Sequence, residues 1–306
     1  MSALDDHVED YLRLRRALGY KLECHGVLLP KLVAYLEAAG ATTVTNELAI
    51  AWARLPERSR PNHWAARLAV ARGFARYLQT IDPATEVPPS GVFPARRHRP
   101  TPYLWSQEDI RRLLEGARDL PSPLRAATHE ALFGLLATTG MRIGEAIGLE
   151  RDDVELGAGI ITIREAKFDR SRLVPLHPST TAAMSRYSKR RDSLCPRPRS
   201  TAFFLSGAGT RLERSSVDKV LREVTISMGI CTATVRPRAH DLRHSLAVAT
   251  LIGWLRGGVN VDENMAVLST YLGHVSPADT YWYLSASPEL MALAAERLDA
   301  HFGDNR

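Results

Sequence analysis

The sequence predicts a mainly α-helical protein that carries one small β-sheet. Apolar residues recur at three- and four-residue steps through most of the chain, the spacing of helices with one buried face. One stretch breaks that rhythm with two β-branched or aliphatic runs, 160–164 and 172–176, joined by a connection that suits a hairpin. Six prolines between 82 and 104 interrupt the helical pattern, and 306 residues suit two domains better than one.

The first segment, 5–19, puts Val8, Tyr11, Leu12, Leu14 and Leu18 at helical positions and stops at Gly19. A second helix is expected over 27–39, ending at Gly40, and a third over 47–55 behind an N-cap at Thr45. A long fourth helix is expected from a cap at Asn62 to Gln79, with Trp64, Leu68, Phe74, Tyr77 and Leu78 as its apolar positions. Together these make a helical bundle over 1–81. Arg67, Arg72 and Arg76 recur along the fourth helix, with Arg60 before it, and fit either a solvated face or a stripe that tracks phosphates. Residues 82–104 read as a basic, proline-rich linker containing Arg96, Arg97, His98 and Arg99.

The third part, 105–306, opens with Ser106-x-x-Asp109, a capping box for a helix to about Arg118. A second helix over 124–138 breaks at Thr139-Gly140, and 143–149 forms a short helical turn. After the hairpin, helices are expected at 178–191, 215–228, 240–254, 262–272 and 276–284. A final helix, 288–302, carries Leu290, Met291, Leu293, Ala294, Leu298 and Phe302 on one face. That stripe must pack on its own domain or on a neighbouring protomer.

No apolar stretch reaches the ~20 residues of a membrane span; 246–255 comes nearest. The opening MSALDDHVED is acidic where a signal peptide is basic and then apolar. A soluble, cytoplasmic, nucleoid-associated protein is expected. Cys24, Cys195 and Cys231 have neither disulfide-framework nor zinc-ligand spacing. No G-x-x-x-x-G-K-[ST] loop and no carboxylate pair with metal-site spacing occurs, so no cofactor and no metal are expected. Forty basic against 34 acidic residues give a net charge of +6, which leans towards a polyanionic partner. Only five of the basic residues are Lys, so the position of each lysine is informative.

Several residues have the chemistry to attack a phosphodiester. His240 and Arg243, three apart in His240-Asp-Leu-Arg243, share one helix face and would set an imidazole beside a guanidinium. Taken alone, that pair also suits a surface salt bridge. Arg142 lies between Gly140 and Gly144 with Glu145 near enough to orient it, although an exposed arginine in a connection would look similar. Lys167 sits at the hairpin tip, where a lysine in an arginine-rich chain suits proton donation as well as simple solvation. Tyr271, Tyr281 and Tyr283 surround the Leu272-Gly-His274 motif. A tyrosine phenol can attack phosphorus, and arginines can stabilise the extra charge, but a packed aromatic is the plainer reading of each.

In order, Thr139-Gly-Met-Arg142-Ile-Gly-Glu145-Ala-Ile-Gly-Leu149, the hairpin lysine, His240-Asp-Leu-Arg243-His244, Leu272-Gly-His274 and a tyrosine nine residues after His274 resemble the tyrosine site-specific recombinases. These include phage integrases, Xer recombinases and transposon integrases. The resemblance covers about 104–284, and the helical 1–81 resembles the family's core-binding domain in length and pattern. It implies a helical-bundle core-binding domain followed by an α+β catalytic domain. Arg142 and Arg243 would clamp the scissile phosphate, and His240 would assist proton transfer and hold a phosphate oxygen. His274 would bond the phosphate, and Lys167 would be the general acid for the departing 5′-hydroxyl. Tyr283 would be the nucleophile by its spacing from His274, with Tyr281 as the decoy. The implied partner is double-stranded DNA with a specific recombination site, bound by a homotetramer on paired sites, with accessory proteins possible and no membrane. Two alternatives stand beside this: a tyrosine-type DNA topoisomerase, and a catalytically silent DNA-binding protein on the same fold.

Overall fold

A computed structural model describes residues 2–94, 101–166, 170–274, 276, 278–285 and 288–303. The chain divides into two compact units, Met1–Pro100 and Thr101–Arg306. Among the described residues no helix is long and apolar enough to cross a membrane.

The first unit is a bundle of α1 (Ala3–Ala17), α2 (Glu23–Ala38), α3 (Asn46–Arg54) and α4 (Pro61–Leu78). Ser2 and Asp5 close a capping box on α1, and Thr45 accepts from the Leu48 amide to cap α3 as expected. Two starts differ from the expected ones. Helix α2 begins at Glu23, four residues before Val27, out of a left-handed Leu22. Helix α4 begins at Pro61, whose fixed φ suits the first helical position, so Arg60 is its N-cap and not Asn62. Leu29, Leu32, Leu36, Trp52, Phe74 and Leu78 fill the core.

Two features of this unit are more packed than their composition suggests. Arg67 does not face outward: it is 8% exposed, stacks its guanidinium 3.9 Å above the Trp52 ring and donates to the Trp52 carbonyl at 2.9 Å. The span 82–94, expected to be an extended linker, packs back on the bundle. Thr85 bonds Thr43, the Glu86 amide donates to the Val44 carbonyl, and Phe93 is buried beside Trp64. Arg72 is half-buried and donates to the carbonyls of Pro88 and Pro89, both at 2.7 Å. Arg76 is exposed, and Arg96, Arg97 and Arg99 lie outside the described residues.

The second unit is built around α6 (Pro123–Thr139), with 12 of its 17 residues buried, which makes it the central helix. Packed on it are α5 (Gln107–Arg118), capped by the expected Ser106 and Asp109, then α8 (Pro178–Leu194) and α10 (Ala239–Arg256). Helix α9 (Arg214–Ser227) packs on α5, and the short α7 (Ile143–Gly148) follows α6. The hairpin forms from β2 (Ile160–Ala166) and β3 (Arg170–Pro175), and a two-residue β1 (Val154–Glu155) makes a third antiparallel strand in the order β1-β2-β3. Ile161 pairs with Val174 and Ile163 with Arg172.

A second cluster sits between α10, α11 (Val261–Leu272) and the chain end, where α12 (Ala278–Tyr281) and a 3-10 turn (Trp282–Ser285) lead to α13 (Pro288–Gly303). Leu251, Met265, Leu272, Tyr283 and Leu290 are all buried in it. Leu290 and a 2.6 Å bond from Arg256 to Glu289 seat α13 on its own chain.

Candidate active site

The turn after α6 carries Arg142, and the first turns of α10 carry Arg243. Gly140 ends α6 at φ +60, a left-handed conformation that favours glycine, and a Cβ there would crowd side-chain carbons of both Leu246 and Leu272 at 3.0 Å. Its carbonyl accepts Nη1 of Arg243 at 2.7 Å. Two residues on, Arg142 caps α7 and donates three times. Its backbone N–H reaches Glu145 Oε2 at 3.0 Å, Nη1 reaches Glu145 Oε1 at 2.8 Å, and Nη2 reaches the Gly273 carbonyl at 2.7 Å. Gly273 ends α11 in the left-handed region and turns the chain into His274. The Gly140 turn, the Gly273 turn and the first turns of α10 thus converge.

Arg243 is 1% exposed, and its Nε and Nη2 have no hydrogen-bond partner among the described residues. Burial pushes this guanidinium below the ordinary arginine value, with the Tyr283 phenol acting in the opposite direction. His240 and His244 lie one helical turn apart with ring centroids at 4.7 Å. Tyr283 is 2% exposed; its ring meets His244 edge-on at 5.3 Å and stacks with His274 at 5.9 Å. His274 Nδ1 lies 2.6 Å from the hydroxyl of buried Thr280, which fixes the ring orientation. Tyr281 is 44% exposed.

Both histidines are held neutral at pH 7. Burial, then the Arg243 and Arg142 charges, push His274 down to about 4. His240 also falls to about 4: one side of the residue is open to solvent, but protein packing comes first among the causes and Arg243 second. The arrangement offers two guanidinium groups, two neutral imidazoles and a phenol around one small region. That is the equipment for holding a phosphodiester and attacking it.

Arg142, His240, Arg243, His274 and Tyr283 therefore lie together, and Lys167 falls outside the described residues. Sequence reasoning missed Arg172. From β3 it donates to Glu145 Oε1 at 3.1 Å and Oε2 at 2.7 Å. Strand alternation carried the signal: Val174 is buried and Leu173 exposed, so Arg172 had to lie on the covered face. It also missed Thr280 and the contact of His244 with Tyr283.

Residues 105–289 match the phage integrase family over more than half of the chain. The chain belongs to that family. As a member it is a tyrosine recombinase, an enzyme that cleaves and rejoins DNA in site-specific recombination. It is 43% identical to the integrase/recombinase y4rB of Sinorhizobium fredii, with 99% of each chain covered. It is 38% identical to tyrosine recombinase XerD of Mycobacterium tuberculosis, over 72% of this chain and 68% of that one. Among solved structures, the Tn1549 transposon integrase in complex with a circular intermediate DNA shares the fold at a TM-score of 0.65, with 16% identity, 95% of this chain and 99% of that one.

Proposed function

We propose that this phage-integrase family member exchanges strands between two duplexes at a specific site, using Tyr283 as the nucleophile. The phenolic oxygen of Tyr283 attacks the scissile phosphorus, a 3′-phosphotyrosine forms, and the 5′-oxygen leaves with a proton donated by Lys167. A 5′-hydroxyl of the partner duplex then attacks the ester, tyrosine is released, and a Holliday junction joins the duplexes. No nucleotide is consumed, because the ester conserves the bond energy. Arg142 and Arg243 hold the non-bridging oxygens, His240 assists proton transfer and holds an oxygen, and His274 bonds the phosphate.

One observation carries the reading. Tyr283 is packed against His244 and His274 beside Arg243, whose buried Nε and Nη2 lack partners among the described residues. Buried, unpaired guanidinium donors are costly unless an anion meets them, and a phosphate oxygen is the anion this chemistry brings. Exchange between two duplexes breaks four strands, one for each tyrosine, so the working assembly is a homotetramer on paired sites. Integration, excision, resolution and transposition all use these steps.

The test is a nicked suicide duplex built from DNA flanking the gene, in which the attacking 5′-hydroxyl is lost after cleavage. Wild-type protein is expected to accumulate a covalent adduct. Tyr283→Phe should bind the same duplex and form none, while Tyr281→Phe should form it. Adduct from the first variant and loss in the second would make Tyr281 the nucleophile.

A further inference from the structure

We propose that Arg172 is a positioning residue that balances the charge of Glu145 and thereby leaves the charge of Arg142 available to the phosphate. The inference rests on the reading of Arg142 as a phosphate clamp.

Arg142 serves a phosphate only if its charge is not cancelled by a neighbouring carboxylate. Yet Glu145 grips Arg142 at both its backbone N–H and its Nη1. An isolated pair of this kind is neutral. Arg172 changes the balance by meeting the same carboxylate with two parallel N–H bonds, the bidentate geometry that makes an arginine–carboxylate pair strong. The Arg172 and Glu145 side chains are 14% and 12% exposed, whereas that of Arg142 is 40% exposed. Burial alone would raise the Glu145 pKa, but the bonds and charge of Arg172, followed by those of Arg142, outweigh it and hold the carboxyl below its ordinary value. Glu145 is therefore an anion whose charge is met first from the buried side. Two arginines and one glutamate leave a single net positive charge, and its open end is Arg142.

The Gly273 turn keeps the Arg172 fork in place. A Cβ at Gly273 would lie 2.5 Å from Nη1, 2.6 Å from Cζ and 2.9 Å from Nε of Arg172, so the backbone of that turn lies directly against the guanidinium. The turn covers one side of the fork while Glu145 holds its end. The same turn accepts Arg142 Nη2 at its carbonyl, so the carboxylate and the carbonyl that orient Arg142 share one support. A lysine keeps the charge and loses the fork.

Four variants, Arg172→Gln, Arg172→Lys, Glu145→Gln and the double E145Q/R172Q, are compared with wild type on the nicked suicide duplex. Single-turnover adduct formation, affinity for the uncleaved duplex and thermal unfolding are measured for each. Arg172→Gln should slow adduct formation about 10–100-fold, the range for losing a partner that orients a reacting group, with a much smaller change in affinity. Arg172→Lys should fall between. Because Arg172 acts through Glu145, the double variant should cleave at about the rate of Glu145→Gln alone and faster than Arg172→Gln. A wild-type rate for Arg172→Gln overturns the proposal, and so does a double variant slower than Glu145→Gln. If Arg172→Gln does not fold, the double variant against Glu145→Gln still decides. Absence of any adduct from wild-type protein would overturn the recombinase reading instead.

Discussion

At the scale of residues, burial comes first and the arginine charges second in setting how His240 and His274 titrate. His240 and His274 have folded values near 4, far below the ordinary 6.5 of an unfolded chain. Between those limits the unfolded chain binds protons that the folded one refuses, so stability is complete above about pH 6.5 and declines as pH falls towards about 4. His274→Gln should remove part of that decline, read as a smaller shift in the urea midpoint between pH 7 and pH 5. A phosphate placed among the same groups reverses the effect of the arginines and raises both values. Binding of cognate DNA near pH 5.5 should therefore take up protons, seen by calorimetry in buffers of different ionisation enthalpy, and His274→Gln should take up fewer. No uptake would mean that the phosphate does not reach the histidines. Much of this site was legible in the sequence, because the spacings of Arg142, His240, Arg243, His274 and Tyr283 survive as short motifs. Arg172 was not, since its role depends on a carboxylate 27 residues away, on α7, that only the packing of the fold brings near.

Elements were read well where a period or a cap marked them. Helix α5 begins at the expected Ser106 and Asp109, and the hairpin strands pair over the runs expected for them. Strand β1 escaped notice because two residues cannot display a period. The span 82–94 escaped for a different reason. Proline forbids helix there, but it leaves every carbonyl free to accept, and Arg72 uses those of Pro88 and Pro89. Arg72→Ala should therefore release this span from α4. We expect a loss of roughly 1–3 kcal/mol in the stability of the first unit, the scale of charge-assisted bonds to partly covered carbonyls. Faster proteolysis and amide exchange should be confined to 85–94. If exchange there is unchanged, Val87 and Phe93 hold the span without help from Arg72.

For the molecule as a whole, the helical class was legible from periodicity. The seat of the last helix was not, because its apolar stripe fits any apolar groove. In the folded chain it lies on α10, with Leu290 in the same cluster as Tyr283. The proposed tetramer makes a mass prediction. Tyr283→Phe mixed with paired-site DNA should give a light-scattering mass of four chains on two duplexes, falling apart as salt rises because phosphate contacts release counterions. A complex that stays at two chains would favour the topoisomerase alternative. The shared cluster also orders events during synthesis. Tyr283 precedes Leu290 by seven residues, whereas α10 and α11 precede both. A growing polypeptide folds from its first domain onward, so a nascent chain completes its bundle and central helix well before this cluster can close. This cluster is then among the last parts of the second unit to close, and a translation product that stops before α13 lacks the Leu290 side chain that packs in the cluster with Tyr283.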